Sequence, residues 1–249
     1  MATSNVDTGA RQEGSLLIEG LSVIYGKIPA VRSVSLVVEP GEVAALVGPN
    51  SAGKSSLLNA IATRSRWVAV TGHISIGGRR IDGMATRERW ASGVRLVPQG
   101  RQIFPSLDVE DNLRVVADNL GIPWTEAIEN SRRLFPQIFL ERLGTAAGNL
   151  SGGEQQMLVL ARVLIGKPRV LLLDEPGLGL ARGVIRELGK AIESLRKEGM
   201  AILIADQGIQ SWETIVNKAF VILRGQIVGV ATDRNTVEKL MGMTVPAHQ

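Results

Sequence analysis

The stretch GNLSGGEQQMLVLARVLIGKPRVLLLDEPGLGLAR, Gly148 to Arg182, decides how the rest of the chain is read. It joins a Ser-Gly-Gly turn to a long amphipathic run. An apolar strand follows and ends in two adjacent carboxylates, Asp174 and Glu175. "VLLLD" has the length and continuity of a strand buried on both faces. Beyond it the pattern alternates: a helix over Arg182 to Lys197, then a strand over Ala201 to Ala205. Helix and strand alternating in this way predict βα winding and a parallel sheet.

A second signal lies upstream. Val43 to Val47, "VAALV", is another continuous apolar run, followed by "GPNSAGKS", Gly48 to Ser55. This fits G-x-x-x-x-G-K-[ST], a loop whose backbone N–H groups turn toward phosphate oxygens. Gly48, Pro49, Asn50, Ser51, Ala52, Gly53, Lys54, Ser55 and Ser56 are therefore candidate nucleotide-binding residues. Lys54 reaches for the terminal phosphates and the Ser55 hydroxyl for Mg²⁺. The helix that opens at "KSSLLNAIAT" adds its positive N-terminal end. If the backbone at Ser51 takes a positive φ, a non-glycine residue there costs about 1–2 kcal/mol, but the motif tolerates any residue at that place and a working loop is expected.

These two signals explain each other. A carboxylate at the tip of a buried strand beside a phosphate loop can hold Mg²⁺, directly or through water; Asp174 is that candidate. Glu175, one residue on, is free to face the terminal phosphate and to polarise an attacking water. The Ser-Gly-Gly turn is a helix N-cap in its own right, Ser151 with Glu154 three residues later forming a capping box. It is also a second anion site, built from the N–H groups of Gly152 and Gly153. One nucleotide cannot readily engage two such sites on separate lobes of one chain. Two chains paired head to tail can share it.

The remaining organisation is simpler. Residues 16 to 47 alternate apolar and polar positions, with turns at "YGK" and "EPGE", and read as strands. Residues 73 to 83 read as a hairpin with a Gly-Gly turn. Between Gln99 and Leu150 no strand signal occurs; "DVEDNLRVVADNL" opens on an Asp cap and "WTEAIENSRRLF" begins after a proline, so an inserted helical lobe is expected there. The first fourteen residues are polar and small, and read as a loose cytosolic tail without a signal-peptide run. Composition narrows the chemistry. Of 249 residues 45% are apolar, which gives one large α/β domain an ample core. Cysteine is absent, so disulfides and thiolate chemistry are excluded. The two histidines, His73 and His248, make a histidine metal centre improbable on count alone. A net charge of +4 suits an anionic partner only weakly.

Taken together, "LSGGEQQ" and the phosphate loop make residues 16 to 240 resemble the ABC-transporter ATPase family. The resemblance implies a P-loop α/β fold: a mostly parallel sheet flanked by helices (residues 15–99 and 150–249), an antiparallel β subdomain and a helical subdomain over 100–149. It implies ATP and Mg²⁺ as ligands. Tyr25 falls where that family stacks an aromatic ring on adenine. Gln99 falls at the loop glutamine that touches Mg²⁺ and links to the helical lobe. Ser151, Gly152, Gly153 and Glu154 form the signature that caps the nucleotide of a second ATPase chain, either a copy or a sister subunit. Gly177 to Arg182 falls at the loop that crosses the dimer interface.

"YGKIPAV", "GRQIFPSLDVEDNL" and the signature stretch are similar to the second ATPase subunit of branched-chain amino-acid importers. That likeness implies membrane permease subunits and a periplasmic or extracellular solute-binding protein as partners, with no nucleic acid. It places the chain peripherally at the cytoplasmic face of the membrane. The family usually has Gly at Ser51, Thr at Ser56, Asp at Ala181 and His at Gln207. Glutamine can donate through its amide but carries no proton, so Gln207 is expected to position and not to shuttle. A soluble ABC-type ATPase acting on nucleic acid or ribosomes, and a regulatory module without turnover, are the alternatives. The single signature, the absence of a heptad run and the presence of Glu175, Lys54 and Asp174 count against them.

Overall fold

In the computed structural model, residues 13–242 are described; the expected N-terminal tail, up to Gln12, and His248 lie outside them. Strands β1 (Leu16–Tyr25), β2 (Ile28–Val38), β4 (Val68–Ile76) and β5 (Arg79–Arg80) form an antiparallel sheet in the order β2-β1-β4-β5. The turn between β4 and β5 is Gly77-Gly78, both with positive φ, which sets a two-residue hairpin of the twist-matching kind. The second sheet runs β10-β9-β3-β8-β7-β6. Its members are β3 (Val43–Val47), β6 (Val94–Val97), β7 (Val170–Asp174), β8 (Ala201–Asp206), β9 (Lys218–Leu223) and β10 (Gln226–Ala231). All its pairs are parallel except β10 with β9.

Along β7 the side chains alternate between two apolar layers. Val170 and Leu172 pack with the antiparallel sheet and with α1 (Lys54–Ala62), which carries Leu57, Leu58 and Ile61. Leu171 and Leu173 pack on the opposite face, with α6 (Gly152–Leu164) and α7 (Arg182–Lys197). Every residue of β3 and β7 is buried. That is the period-2 burial of a strand covered on both faces, and it explains the continuous apolar runs.

The expected helical lobe is present as α3 (Val109–Leu120), α4 (Trp124–Leu134) and α5 (Pro136–Glu141). The Asp108 carboxylate caps α3 by accepting from the Asp111 N–H. Apolar residues of this lobe, such as Leu113 and Ile128, share one continuous cluster with Leu158 of α6 and with Leu173. The lobe is therefore coupled to the parallel sheet through the signature helix. The sequence reading assigned nothing over 84–98 or beyond Gln207. Those stretches hold α2 (Thr86–Ala91), β6, β9, β10 and α8 (Arg234–Met241).

Candidate active site

The loops after β3, β7 and β8 meet at one edge of the parallel sheet. Registers Val47↔Asp206 and Asp174↔Ala205 bring the three strand ends level. The carboxyl edge of such a sheet is where ligands bind in open α/β folds. Here it brings together Gly48–Lys54, Asp174-Glu175 and Asp206-Gln207.

The phosphate loop has the backbone that anion binding needs. Gly53 has φ 106°, and a Cβ there would sit 2.4 Å from the Ala30 carbonyl oxygen. Ser51 holds φ 63°, in the left-handed region. The N-terminus of α1 has no side-chain cap and no acidic residue in its first turn. Helices α3, α6 and α8 are each capped by a side chain, whereas α4 and α7, like α1, are not. The start of α1 differs in opening onto a cavity, so its N–H groups can take an external anion there.

The Glu175 carboxylate is where donors converge. Lys54 Nζ lies 3.6 Å from its Oε1. Gln99 Nε2 donates to Oε2 at 3.3 Å, and Gln207 Nε2 makes long contacts of 3.5 Å to both oxygens. Lys54 is buried and also donates to the Gly48 and Pro49 carbonyls at 2.8 and 3.0 Å. Glu175 itself has φ 46°, off the strand geometry it has just left. Its N–H donates to the Ala205 carbonyl, and its carbonyl accepts from Leu178 N–H. A non-glycine residue in this region costs about 1–2 kcal/mol. Here the cost turns the carboxylate toward the loop.

A cavity of about 650 Å³ is lined by Asn50, Ser51, Gly53, Lys54, Ser55 and Ser56, and by Gln99, Glu175 and Gln207. Gly48, Pro49 and Ala52 stand behind that wall: two supply carbonyls to Lys54, and the Ala52 side chain is in the core. Tyr25, an exposed residue, lines an adjoining hollow together with Ser56. Ser151, Gly152, Gly153 and Glu154 do not line the cavity. They form the expected capping box at α6, with Ser151 N–H donating to Glu154 Oε2 at 2.8 Å. Hydrogen bonding from Ser151, its side chain first and its backbone N–H second, holds the Glu154 carboxyl below its ordinary range.

Asp174 is buried, and its Oδ1 has no hydrogen-bond partner. Burial pushes its pKa up, opposed by a hydrogen bond with Ser55, with the Glu175 charge adding to the rise. A buried carboxylate oxygen lacking a donor, next to a serine hydroxyl, is a fitting pair of hard ligands for a Mg²⁺ ion brought in with phosphate. Gln99 reaches the same region through its contact with Glu175.

The sequence reading missed two side chains. Asp206 accepts from the Gln207 N–H through Oδ1 at 2.6 Å and from the Trp212 indole through Oδ2 at 2.7 Å. Trp212 is fully buried, and its ring would lie 3.2 Å from a Cβ on Gly177. This clamp fixes the backbone that carries Gln207. "ADQGIQSW" holds its signal: an acid at the end of an apolar strand with a tryptophan six residues on.

Comparison with known proteins agrees with this fold. A family model described as "ABC transporter" matches residues 31–177. The chain is 37% identical over 218 residues to the high-affinity branched-chain amino acid transport ATP-binding protein BraG of Pseudomonas aeruginosa, covering 86% of this chain and 91% of that one. It is 30% identical to the lipopolysaccharide export system ATP-binding protein LptB of Acidithiobacillus ferridurans, covering 91% and 93%. Among solved structures, the ADP conformation of an ATP-binding cassette of an ABC transporter superposes with a TM-score of 0.78 at 22% identity, covering 91% and 94%. A structure described as the ATP binding subunit of an ABC transporter gives 0.77 at 25% identity, covering 92% and 95%.

Proposed function

The chain belongs to the ABC transporter family of ATP-hydrolysing subunits, and on that premise we propose that it powers an importer for branched-chain or related amino acids. The observation that carries the catalytic part is the convergence of Lys54, Gln99 and Gln207 on Glu175, in a cavity faced by the uncapped start of α1. Lys54 and the loop residues Gly48 to Ser56 grip the phosphates, Tyr25 stacks on the base, and Glu175 polarises the attacking water. Gln207 positions that water through its amide. Ser55, Asp174 and Gln99 would hold Mg²⁺, which neutralises charge on the phosphate oxygens when bound.

The position of Ser151–Glu154 supports a head-to-tail dimer. This turn carries two glycine N–H groups at a helix start, yet it stays off the wall of its own chain's nucleotide cavity. Capping the nucleotide of a second ATPase, a copy or a sister, gives it an anion. Among the described residues no helix is long and apolar enough to cross a membrane. On the importer reading, the work of ATP is delivered to permease subunits at the cytoplasmic face. A solute-binding protein completes an importer.

Two experiments test this. Glu175→Gln should cut steady-state phosphate release at least a hundredfold, the scale of losing one catalytic proton acceptor. It should also leave an ATP-bound dimer stable to gel filtration; turnover at the wild-type rate refutes the assignment. Co-purification from membranes, with identification of the attached chains, tests the transport class. The similarity to LptB supports an export system as the second reading, and recovery of export-type permeases would establish it instead.

A further inference from the structure

A hollow of about 720 Å³ lies at the far end of α1 and shares no lining residue with the nucleotide cavity. The nine residues of α1, about 14 Å of helix, separate the two. Four arginines line the hollow, Arg64, Arg66, Arg87 and Arg89, against one acid, Asp82. Arg89 has a structural reason to be there. It is 2% exposed, and its guanidinium donates to the Ile61, Thr63 and Asp82 carbonyls at 3.0, 3.2 and 2.8 Å. It thus satisfies carbonyls that the last turn of α1 leaves open. Burial, and after it the Arg64 charge, lower its pKa, with Asp82 opposing.

The other three have no such reason. All are exposed, and among the described residues none meets a carboxylate. Asp82 is held by Arg80 at 2.9 Å, and Glu88 accepts from the Ala85 N–H. Arg64 donates to the Gly83 carbonyl, and Arg66 lies 5.0 Å over the Trp67 ring. Like charges gathered around one hollow repel each other, and an anion relieves this. The apolar rim says which kind of anion. Trp67 is 78% exposed, and Val70, which lines the hollow, is 38% exposed. A soluble anion needs the cations alone. An indole left in water beside cations suits a membrane–water boundary, where the ring lies at headgroup depth and the cations meet phosphates.

We propose that this hollow is a lipid contact: Arg64, Arg66 and Arg87 take the phosphate groups of anionic glycerophospholipids, and Trp67 lies among their headgroups. It gives the chain an attachment to the membrane surface that is separate from any permease and from the nucleotide cavity. It stands apart from the importer reading, because it needs neither nucleotide nor a second chain.

The test floats the full chain, without nucleotide, with vesicles of phosphatidylglycerol and phosphatidylcholine and with vesicles of phosphatidylcholine alone. Binding is expected to the first only. It should weaken with added salt and bring a blue shift in tryptophan emission that Trp67→Phe abolishes. Arg66→Gln combined with Arg87→Gln removes two charges that no carboxylate meets. It should lower vesicle partitioning about thirtyfold, the scale of two basic residues at an anionic surface, and leave the melting temperature unchanged. Lysine at both positions should restore most of the binding, because a charged surface reads charge more than the arginine fork. Wild type that ignores anionic vesicles overturns the proposal. So does a double glutamine variant that binds as wild type does, or an emission shift that survives Trp67→Phe; either would put the contact elsewhere on the chain. Inorganic phosphate that saturates the hollow and releases the vesicles would make it a site for a soluble anion. A double glutamine variant that keeps its vesicle binding but no longer co-purifies with membrane subunits would make it a contact for an acidic protein segment. Both results refute a lipid contact.

Discussion

Replacing Asp174 by asparagine should make the metal-free protein more stable while destroying its catalysis. Asp174 is 4% exposed and its Oδ1 lacks a partner. Burial raises its pKa above 3.8, and the charges of Glu175 and Asp206 act in the same direction, against Ser55 and Lys54. Asparagine keeps the shape and removes the charge. Removing that buried charge relieves on the order of 1–2 kcal/mol. At about 1 kcal/mol, a chain of this size gains about 2–4 °C in Tm. A folded pKa above the unfolded one means the penalty is full where Asp174 is ionised in both states. It fades as pH falls through the folded value and is gone below 3.8. Thermal melts in EDTA without nucleotide, from pH 8 to pH 4.5, should therefore show the variant ahead at the high end and the two curves closing at the low end. With Mg²⁺-ATP at about 100 times Kd, the wild type gains about 2.7 kcal/mol and the order reverses, because on the proposed role of Asp174 the variant has lost a metal ligand. An asparagine variant that melts lower at pH 8 in EDTA would show that Asp174 carries a structural bond, and the argument would fail.

Other substitutions read other parts of the site. Gly48→Ala places a Cβ 2.3 Å from the Ile222 carbonyl oxygen, which is backbone and cannot step aside; a loss of about 1–3 kcal/mol in denaturant unfolding and of ATP binding is expected. Trp212→Phe removes the donor to Asp206 Oδ2 and should cost about 1.5–3 kcal/mol, with kcat falling more than ATP affinity; equal losses would argue against a role in holding Gln207. Gln207→His should keep phosphate release within a few-fold of wild type at pH 7.5. A large gain would mean that proton transfer, and not positioning, limits the natural residue.

The phosphate loop and the strand-end carboxylates, which the fold brings to one cavity, were legible because each is local in sequence. Gly48 to Ser55 is contiguous, and Asp174-Glu175 ends a strand whose burial is written as an unbroken apolar run. The β6 strand was not readable. Its sequence VRLV contains Arg95, a charged residue that is 5% exposed and stacks on the Trp90 ring. Burial pushes the Arg95 pKa down to about 10, and no periodicity rule places such a residue inside a sheet. The hairpin of β9 and β10 was missed for a different reason. Its turn, Arg224-Gly225, takes positive φ at both residues, and arginine is not a turn signal there. The clamp of Asp206 and Trp212 depends on a fold-back of the chain after β8, which spacing alone does not encode.

The strained residues explain why the scaffold is built as it is. Ser51 and Glu175 both hold left-handed backbone, and each conformation is unfavourable in isolation. Ser51 sits four residues beyond β3 and Glu175 directly follows β7, strands whose every residue is buried. Those strands pair in register with β8 between them, so neither end can relax without breaking ladder bonds and uncovering apolar surface. Burial that looks excessive for a catalytic edge is what keeps both residues in place. It also predicts where tolerance ends. Volume changes in Leu171 or Leu173 should reach the Glu175 carboxylate through the end of β7, so kcat should fall in variants such as Leu173→Ala beyond what their fraction unfolded explains. A Leu173→Ala protein that stays folded and hydrolyses ATP at the wild-type rate would show that Glu175 is held by its own loop, and not by the strand beneath it.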